Sequence, residues 1–248
     1  MECDEEADTH QIRVLPDTCV EIFINYTQTP VAIIGHELHK RSIVTSRMSK
    51  PIDVQMRKGS GCLAICFHPG MASTFFQVPM HALTDATVSL SDVWNGMVAE
   101  IEDKLARIGD HSARADMVQK YLLQQLAPDK YDSQVAYCLD LAQRSGGLLP
   151  VSKLTEDIGL SQRHLSRKFQ QSVGLSPKEY LRVYRFVQSL QHLKSPGLSL
   201  TEVAYKSGYY DQAHFNRDYR TYTGHTPGEV AQAQDILYGC PFYTIQAD

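Results

Sequence analysis

The sequence predicts an α+β protein, with strands confined to the amino-terminal half, a helical hairpin after them and an all-helical carboxy-terminal half. Three observations carry this. Between Cys19 and Phe67, short runs of alternating apolar and polar residues are broken by Gly and Pro. From Asp92 onward apolar residues recur every three or four positions, as on one face of a helix. Two segments beginning at Gly159 and Gly208 then repeat the same order of apolar, glycine, proline and acidic positions over roughly twenty residues.

The strands come first. In CVEIFINY, Val20, Ile22, Ile24 and Tyr26 share one face and Glu21 and Asn25 the other, the pattern of a half-buried strand. Pro30 ends it, and VAIIG forms a second apolar run closing at Gly35. Ile43 to Met48, and IDVQMR with Ile52, Val54 and Met56 alternating, give two more. RKGSG from Arg57 to Gly61 is a turn, and CLAICF is apolar on both faces, as expected of a strand at the centre of a sandwich. Short, closely spaced strands of this kind make a β-sandwich or a small, cupin-like barrel. MASTFFQVP reads as a short helical or looped segment, and Met80 to Val88 has no clear period.

The hairpin follows. Val93, Met97, Ile101, Leu105 and Ile108 define a helix with Ser91 as its cap, broken at Gly109-Asp110. Met117, Tyr121, Leu122 and Leu126 define a second, which stops before Pro128. The pair either packs wholly on the strands or leaves an apolar face for a second subunit. The expected division is a β-rich regulatory region over 1–127, a polar linker at 128–133, a helical domain over 134–231 and a tail at 232–248, which holds Cys240-Pro241 and three aromatics and has no derivable role.

Composition narrows the function. At 248 residues with 43% hydrophobic and 21% charged residues the chain suits two globular domains. Its net charge of −4 is unevenly divided: from Gln134 to Val230 there are 12 Lys and Arg against 8 Asp and Glu, leaving 12 against 20 elsewhere. One modestly basic part joined to an acidic one fits nucleic-acid binding by the basic part. The acidic start MECDEEADTH is unlike an export signal, and no run of ~18 apolar residues exists for a membrane span. The six cysteines are therefore expected as reduced, buried thiols in a cytoplasm. Cys62 and Cys66, four apart on a strand, would sit ~13 Å from each other, too far for a disulfide between them.

No catalytic constellation stands out: there is no G-x-S-x-G, no phosphate-cradling glycine loop and no H-E-x-x-H. His36, Glu37 and His39 are close, but on a strand the two histidines point to opposite faces. His68 reads as a hydrogen-bonded residue at a strand end. No enzyme activity, metal or cofactor is expected. The rival class is a metal-dependent sensor or enzyme-like first half tethered to DNA.

In the second half, Val135, Leu139 and Ala142 mark a helix ending at Gly146-Gly147. Each repeat then reads as helix, glycine turn, second helix, glycine stop and a capped new helix. His164 aligns with His214, Leu165 with Phe215, Arg167 with Arg217, Phe169 with Tyr219 and Gly174 with Gly224. SPKE, SLTE and TPGE, starting at Ser176, Ser199 and Thr226, each place a cap hydroxyl three residues before a carboxylate. With Leu165 and Phe169 inward, Arg163, Ser166, Arg167 and Gln170 face out; with Phe215, Tyr219 and Tyr222 inward, so do Ala213, Asn216, Arg217 and Arg220. Arginine can bridge guanine acceptors in a major groove, and asparagine can do so with adenine.

These two units, LTEDIGLSQRHLSRKFQQSVGLSPKEYLRVYRF and LTEVAYKSGYYDQAHFNRDYRTYTGHTP, resemble the DNA-binding domain of the AraC/XylS family of bacterial transcription regulators. The resemblance covers about two fifths of the chain, from Gln134 to Ala231. It implies seven helices in two helix-turn-helix subdomains joined by the long helix from Lys178 to Lys194, with recognition helices in successive major grooves ~34 Å apart. It makes Arg163, Ser166, Arg167, Ala213, His214 and Arg217 base-facing, with Gln212 nearby; Asn216 joins them from the periodicity. Ala213 departs from a hydrogen-bonding residue, so the second unit should read sequence less stringently. Periodicity turns His214 partly inward, whereas the family places it near DNA. CLAICFHPGMASTFFQVP followed by LSDVW is similar to the amino-terminal domains of one subgroup whose ligands are mostly undefined. The resemblance thus implies double-stranded DNA as partner, an activator with RNA polymerase as a further partner, and a first half that either senses a small-molecule effector or serves only to pair subunits into a homodimer.

Overall fold

The computed structural model describes residues 9–46, 48–94, 96–195, 197–233 and 236–237, the side chains of 9–11 and 236–237 excepted. Most of the tail lies outside them.

Among the described residues of the first half there are eight strands: β1 Thr9–Val14, β2 Val20–Asn25, β3 Ala32–Ile34, β4 Glu37–His39, β5 Ile43–Thr45, β6 Ile52–Arg57, β7 Cys62–Phe67 and β8 Thr87–Ser89. A ninth, β9 at Ile236–Leu237, pairs parallel with β1. They form two sheets, ordered β4-β3-β6-β1-β9 and β7-β2-β5-β8. Buried Val31, Ala32 and Ile34 of one meet Ile43 and Cys62 of the other. The arrangement is a sandwich; among the described residues the two sheets are not joined into a closed barrel.

The outer face of the second sheet carries the main core. Val20, Ile22, Ile24, Val44 and Phe67 pack there with Phe76, Met80, Leu90 and Trp94. Strand β7 is an edge strand, not the central one expected from its composition. Its apolar residues on both sides are explained by the helices packed outside it and the second sheet facing it within.

The helix expected from Asp92 is divided into α1 Leu90–Val93 and α2 Val98–Arg107. Trp94, fully buried with its indole N–H donating to the Phe75 carbonyl at 3.1 Å, anchors the break, and Gly96 turns it with φ +77°. Ser89, not Ser91, occupies the cap position, because the helix starts directly from β8. Helix α3, His111–Gln125, is capped by Asp110 and completes the hairpin. Met117, Tyr121 and Leu122 lie on the main core, whereas Leu123 is 69% exposed.

Among the described residues seven helices follow: α4 Ser133–Arg144, α5 Val151–Ile158, α6 Gln162–Ser172, α7 Pro177–Leu193, α8 Leu200–Lys206, α9 Gln212–Thr223 and α10 Pro227–Gln232. They make two cores sharing α7. Tyr180, Leu181 and Tyr184 face the first core with Leu154, Leu165 and Phe169. Val183, Phe186, Val187 and Leu190 face the second with Val203, Phe215 and Tyr219.

The halves touch through specific groups. Leu15, from the connection after β1, is buried in the second helical core. Arg13 holds Asp53 through two bonds of 2.7 and 3.0 Å and lies 2.9 Å from the His225 ring. Thr84 donates to the Gly174 carbonyl at 3.0 Å. Cys19, Cys62 and Cys138 are buried thiols. Cys66, however, is disulfide-bonded, which corrects the expectation of reduced thiols throughout; the spacing argument bears only on the pair Cys62 and Cys66.

Candidate nucleic-acid interface

Each unit is built from a short helix, a glycine turn and a longer helix held by its cap. In the first, Gly159 ends α5 at φ +68°, a conformation that costs a side chain but not glycine. Ser161 then accepts from the His164 N–H and starts α6. In the second, Gly208 turns at φ +71° where an added Cβ would collide with Leu148, and Asp211 caps α9 by accepting from the same relative position, His214. All three expected cap pairs are present: Ser176 with Glu179, Ser199 with Glu202 and Thr226 with Glu229. The returned bonds hold the Glu202 and Glu229 carboxyls below the usual carboxylate range.

These constraints fix which sides of α6 and α9 can meet a partner. Leu165 and Phe169 are fully buried, which leaves Arg163, Arg167 and Gln170 exposed and Ser166 half-buried. Phe215 and Tyr219 are likewise fully buried, and Gln212, Ala213, Arg217 and Arg220 are exposed. Ala213, Asn216, Arg217, Arg220 and Thr221 line a shallow concavity on the outer side of α9. Asn216 is half-buried, as is His214, whose ring packs edge-on against Tyr209 with centroids 5.2 Å apart. Each face thus exposes three of these polar side chains, and the difference between them is that α9 carries Ala213 at the position where α6 carries Arg163.

Three further residues were not singled out by the helical pattern. Asp218 sits one position beyond Arg217 and is completely buried, accepting twice from Arg182 of α7 at 2.7 and 3.0 Å. The pair clamps α9 to the shared helix. Tyr210, in the turn before α9, is 88% exposed, and Tyr205, on α8, is 65% exposed. An exposed aromatic residue in a turn, such as Tyr210, has no periodicity to mark it.

Elsewhere, His36 lies in the β3–β4 turn and Glu37 and His39 on β4. Among the described residues no three His, Cys, Asp or Glu are placed together to hold a metal ion. No described helix is long and apolar enough to cross a membrane.

The geometry defines a helix-turn-helix protein with two such units. Residues 154–233 match a family described as a helix-turn-helix domain, and residues 1–89 match a domain of unknown function, DUF6597. The HTH-type transcriptional activator RhaS of Salmonella arizonae is 32% identical over 84 residues, covering 34% of this chain and 30% of that protein. The chain therefore aligns with about a third of the length of the curated relatives it matches. Among solved structures, a probable AraC family transcriptional regulator from Rhodopseudomonas palustris is 28% identical over 41% of this chain and 96% of its own, with a TM-score of 0.37. ToxT from Vibrio cholerae covers 90% of this chain and 97% of its own at 11% identity and a TM-score of 0.49. The carboxy-terminal half of the chain thus carries a helix-turn-helix domain similar to that of the transcriptional activator RhaS.

Proposed function

We propose that the protein is a sequence-specific regulator of transcription that binds double-stranded DNA through α6 and α9 in successive major grooves, with 134–231 as the reader and 1–127 as the regulatory part. The observation that carries this is the pair of equivalent outward faces, Arg163 and Arg167 on α6 and Arg217 on α9, each fixed by fully buried residues on the opposite side. Rigid presentation matters because a bidentate arginine contact depends on angle as well as reach. Ser166, Gln212, Ala213, His214 and Asn216 complete the reading set, His214 chiefly by holding the turn through Tyr209. The first unit carries more of the discrimination, since α9 offers Ala213 where a polar group would read a base. By analogy with RhaS, a transcriptional activator, the protein acts as an activator; a homodimer, RNA polymerase as partner and a small effector are what the AraC/XylS resemblance adds to this reading.

The test is a salt-controlled DNA titration of the Arg167→Ala variant. The variant should lose roughly 1–3 kcal/mol at the specific site and relax base choice at one position. Unchanged affinity and specificity would sink the assignment.

A further inference from the structure

Between the two sheets lies a cavity of about 260 Å³. That is roughly the share of nine liquid waters at ~30 Å³ each, and just under the ~300–1,000 Å³ of most small-molecule sites. One wall, from β1, β3 and β6, is apolar: Ile12, Val14, Ile34, Ile52, Val54 and Met56. The facing wall carries a polar row. Register places Glu21 beside Thr45 and Thr45 beside Thr87, so the three side chains point to one face on adjacent strands.

This row is unfinished. The Glu21 carboxyl is pushed up to about 7 by burial and by neighbouring Asp17, and no hydrogen bond from a described residue reaches it. The hydroxyls of Ser46 and Thr87, both in the cavity lining, are buried without a partner among the described residues. Folded proteins pair nearly all such groups, so a cluster of them facing a void points to something that binds there. The described lining contains Asp17 and Glu21 and no Lys, Arg or His. An anionic ligand would find no counter-charge, whereas a cation would supply the partner that Glu21 lacks.

We propose that this cavity binds a compact hydrophobic amine, its ammonium donating to Glu21 and the Thr45–Thr87 edge and its hydrocarbon body lying on the apolar wall. The ligand chemistry stands on the cavity itself; its regulatory consequence rests on the DNA-binding function proposed above. That consequence has a physical route. Leu15, Asp17 and Cys19 line the cavity, and Leu15 is also buried in the core that holds Val183 and Phe186 of α7. The connection between β1 and β2 is therefore shared by the ligand site and the helix that joins the two DNA-reading units.

The experiment uses the full chain and three cages of the same shape: 1-adamantylamine, 1-adamantanol and adamantane-1-carboxylate, titrated calorimetrically at pH 8. The amine should bind at least tenfold more tightly than the alcohol, and the carboxylate should not bind. Glu21→Gln should remove the amine's advantage while leaving alcohol binding and the thermal melt near wild type; Thr87→Val, a second variant, should weaken the amine severalfold. Binding of the carboxylate in preference, amine affinity unchanged by Glu21→Gln, or no amine binding at millimolar concentration would overturn the ligand class. Amine binding that leaves DNA affinity unchanged would overturn the route through Leu15. Failure of Arg167→Ala to alter DNA binding would count against the regulator reading alone, leaving the ligand site standing.

Discussion

Arg182→Ala should destabilise the second helical unit far more than its partner substitution, Asp218→Ala. The two residues form one pair, but their surroundings differ: the Asp218 side chain is 0% exposed and that of Arg182 is 40% exposed. Both bonds from the guanidinium go to one carboxylate oxygen, and the other oxygen has no partner among the described residues. Removing Arg182 leaves a buried, uncompensated anion, a change that costs about 3–5 kcal/mol. Removing Asp218 leaves a cation that can turn to water, so the loss is nearer the ~1.5 kcal/mol of a charged hydrogen bond. The double variant should consequently be more stable than Arg182→Ala alone, by about 2 kcal/mol on the same figures. Urea unfolding followed by circular dichroism measures all three. Since a domain of this kind has about 5–15 kcal/mol in total, the largest loss is plainly visible. An Arg182→Ala variant within 1 kcal/mol of wild type, or a double variant no better than the single, would refute the burial argument (~1 kcal/mol being the error of a typical comparison).

Other outcomes follow from the same geometry. Leu165→Asp and Phe215→Asp each place a charge at a fully buried site, so each should unfold its own unit; a native melt by circular dichroism would contradict the facing of α6 or α9. The cap carboxyls of Glu202 and Glu229 are held below their ordinary value of 4.5 by bonds from Ser199 and Thr226. A group whose folded value is depressed stabilises above the unfolded value and loses that contribution as pH falls through the folded one. Acid titration of stability below pH 4.5 should therefore be shallower in Ser199→Ala and Thr226→Ala than in wild type, and identical slopes would remove the caps from the account.

The helical half was legible because its signals are local. A cap hydroxyl, a carboxylate three residues on and a glycine stop each act within one turn, and the boundaries near Ser176, Ser199 and Thr226 emerge from them directly. The outward arginines follow from helical period once Leu165 and Phe215 are placed inside. What sequence could not show depends on distant partners. Alternation in β2 put Glu21 on the solvent side of a half-buried strand, but the second sheet covers that side, so the residue lines a cavity. Nothing local marks Asp218 as a clamp, because its partner Arg182 comes from α7. Strand β8 emerged from a stretch with no period because its three half-buried residues are organised by pairing with β5 and not by burial contrast. The amino-terminal strand β1 escaped notice for a similar reason, its register being set by β6, whose residues Ile52 to Arg57 pair with Val14 to Thr9.

The central claim, that two equivalent helices read adjacent major grooves, is tested most directly by chemical protection of guanine N7 on a bound operator. Two protected patches on one face of the duplex, about one turn apart, are predicted. Arg167→Ala should lose protection in one patch only and Arg217→Ala in the other, the first with the larger loss of sequence discrimination. A single patch, or both patches fading equally in either variant, would contradict the claim.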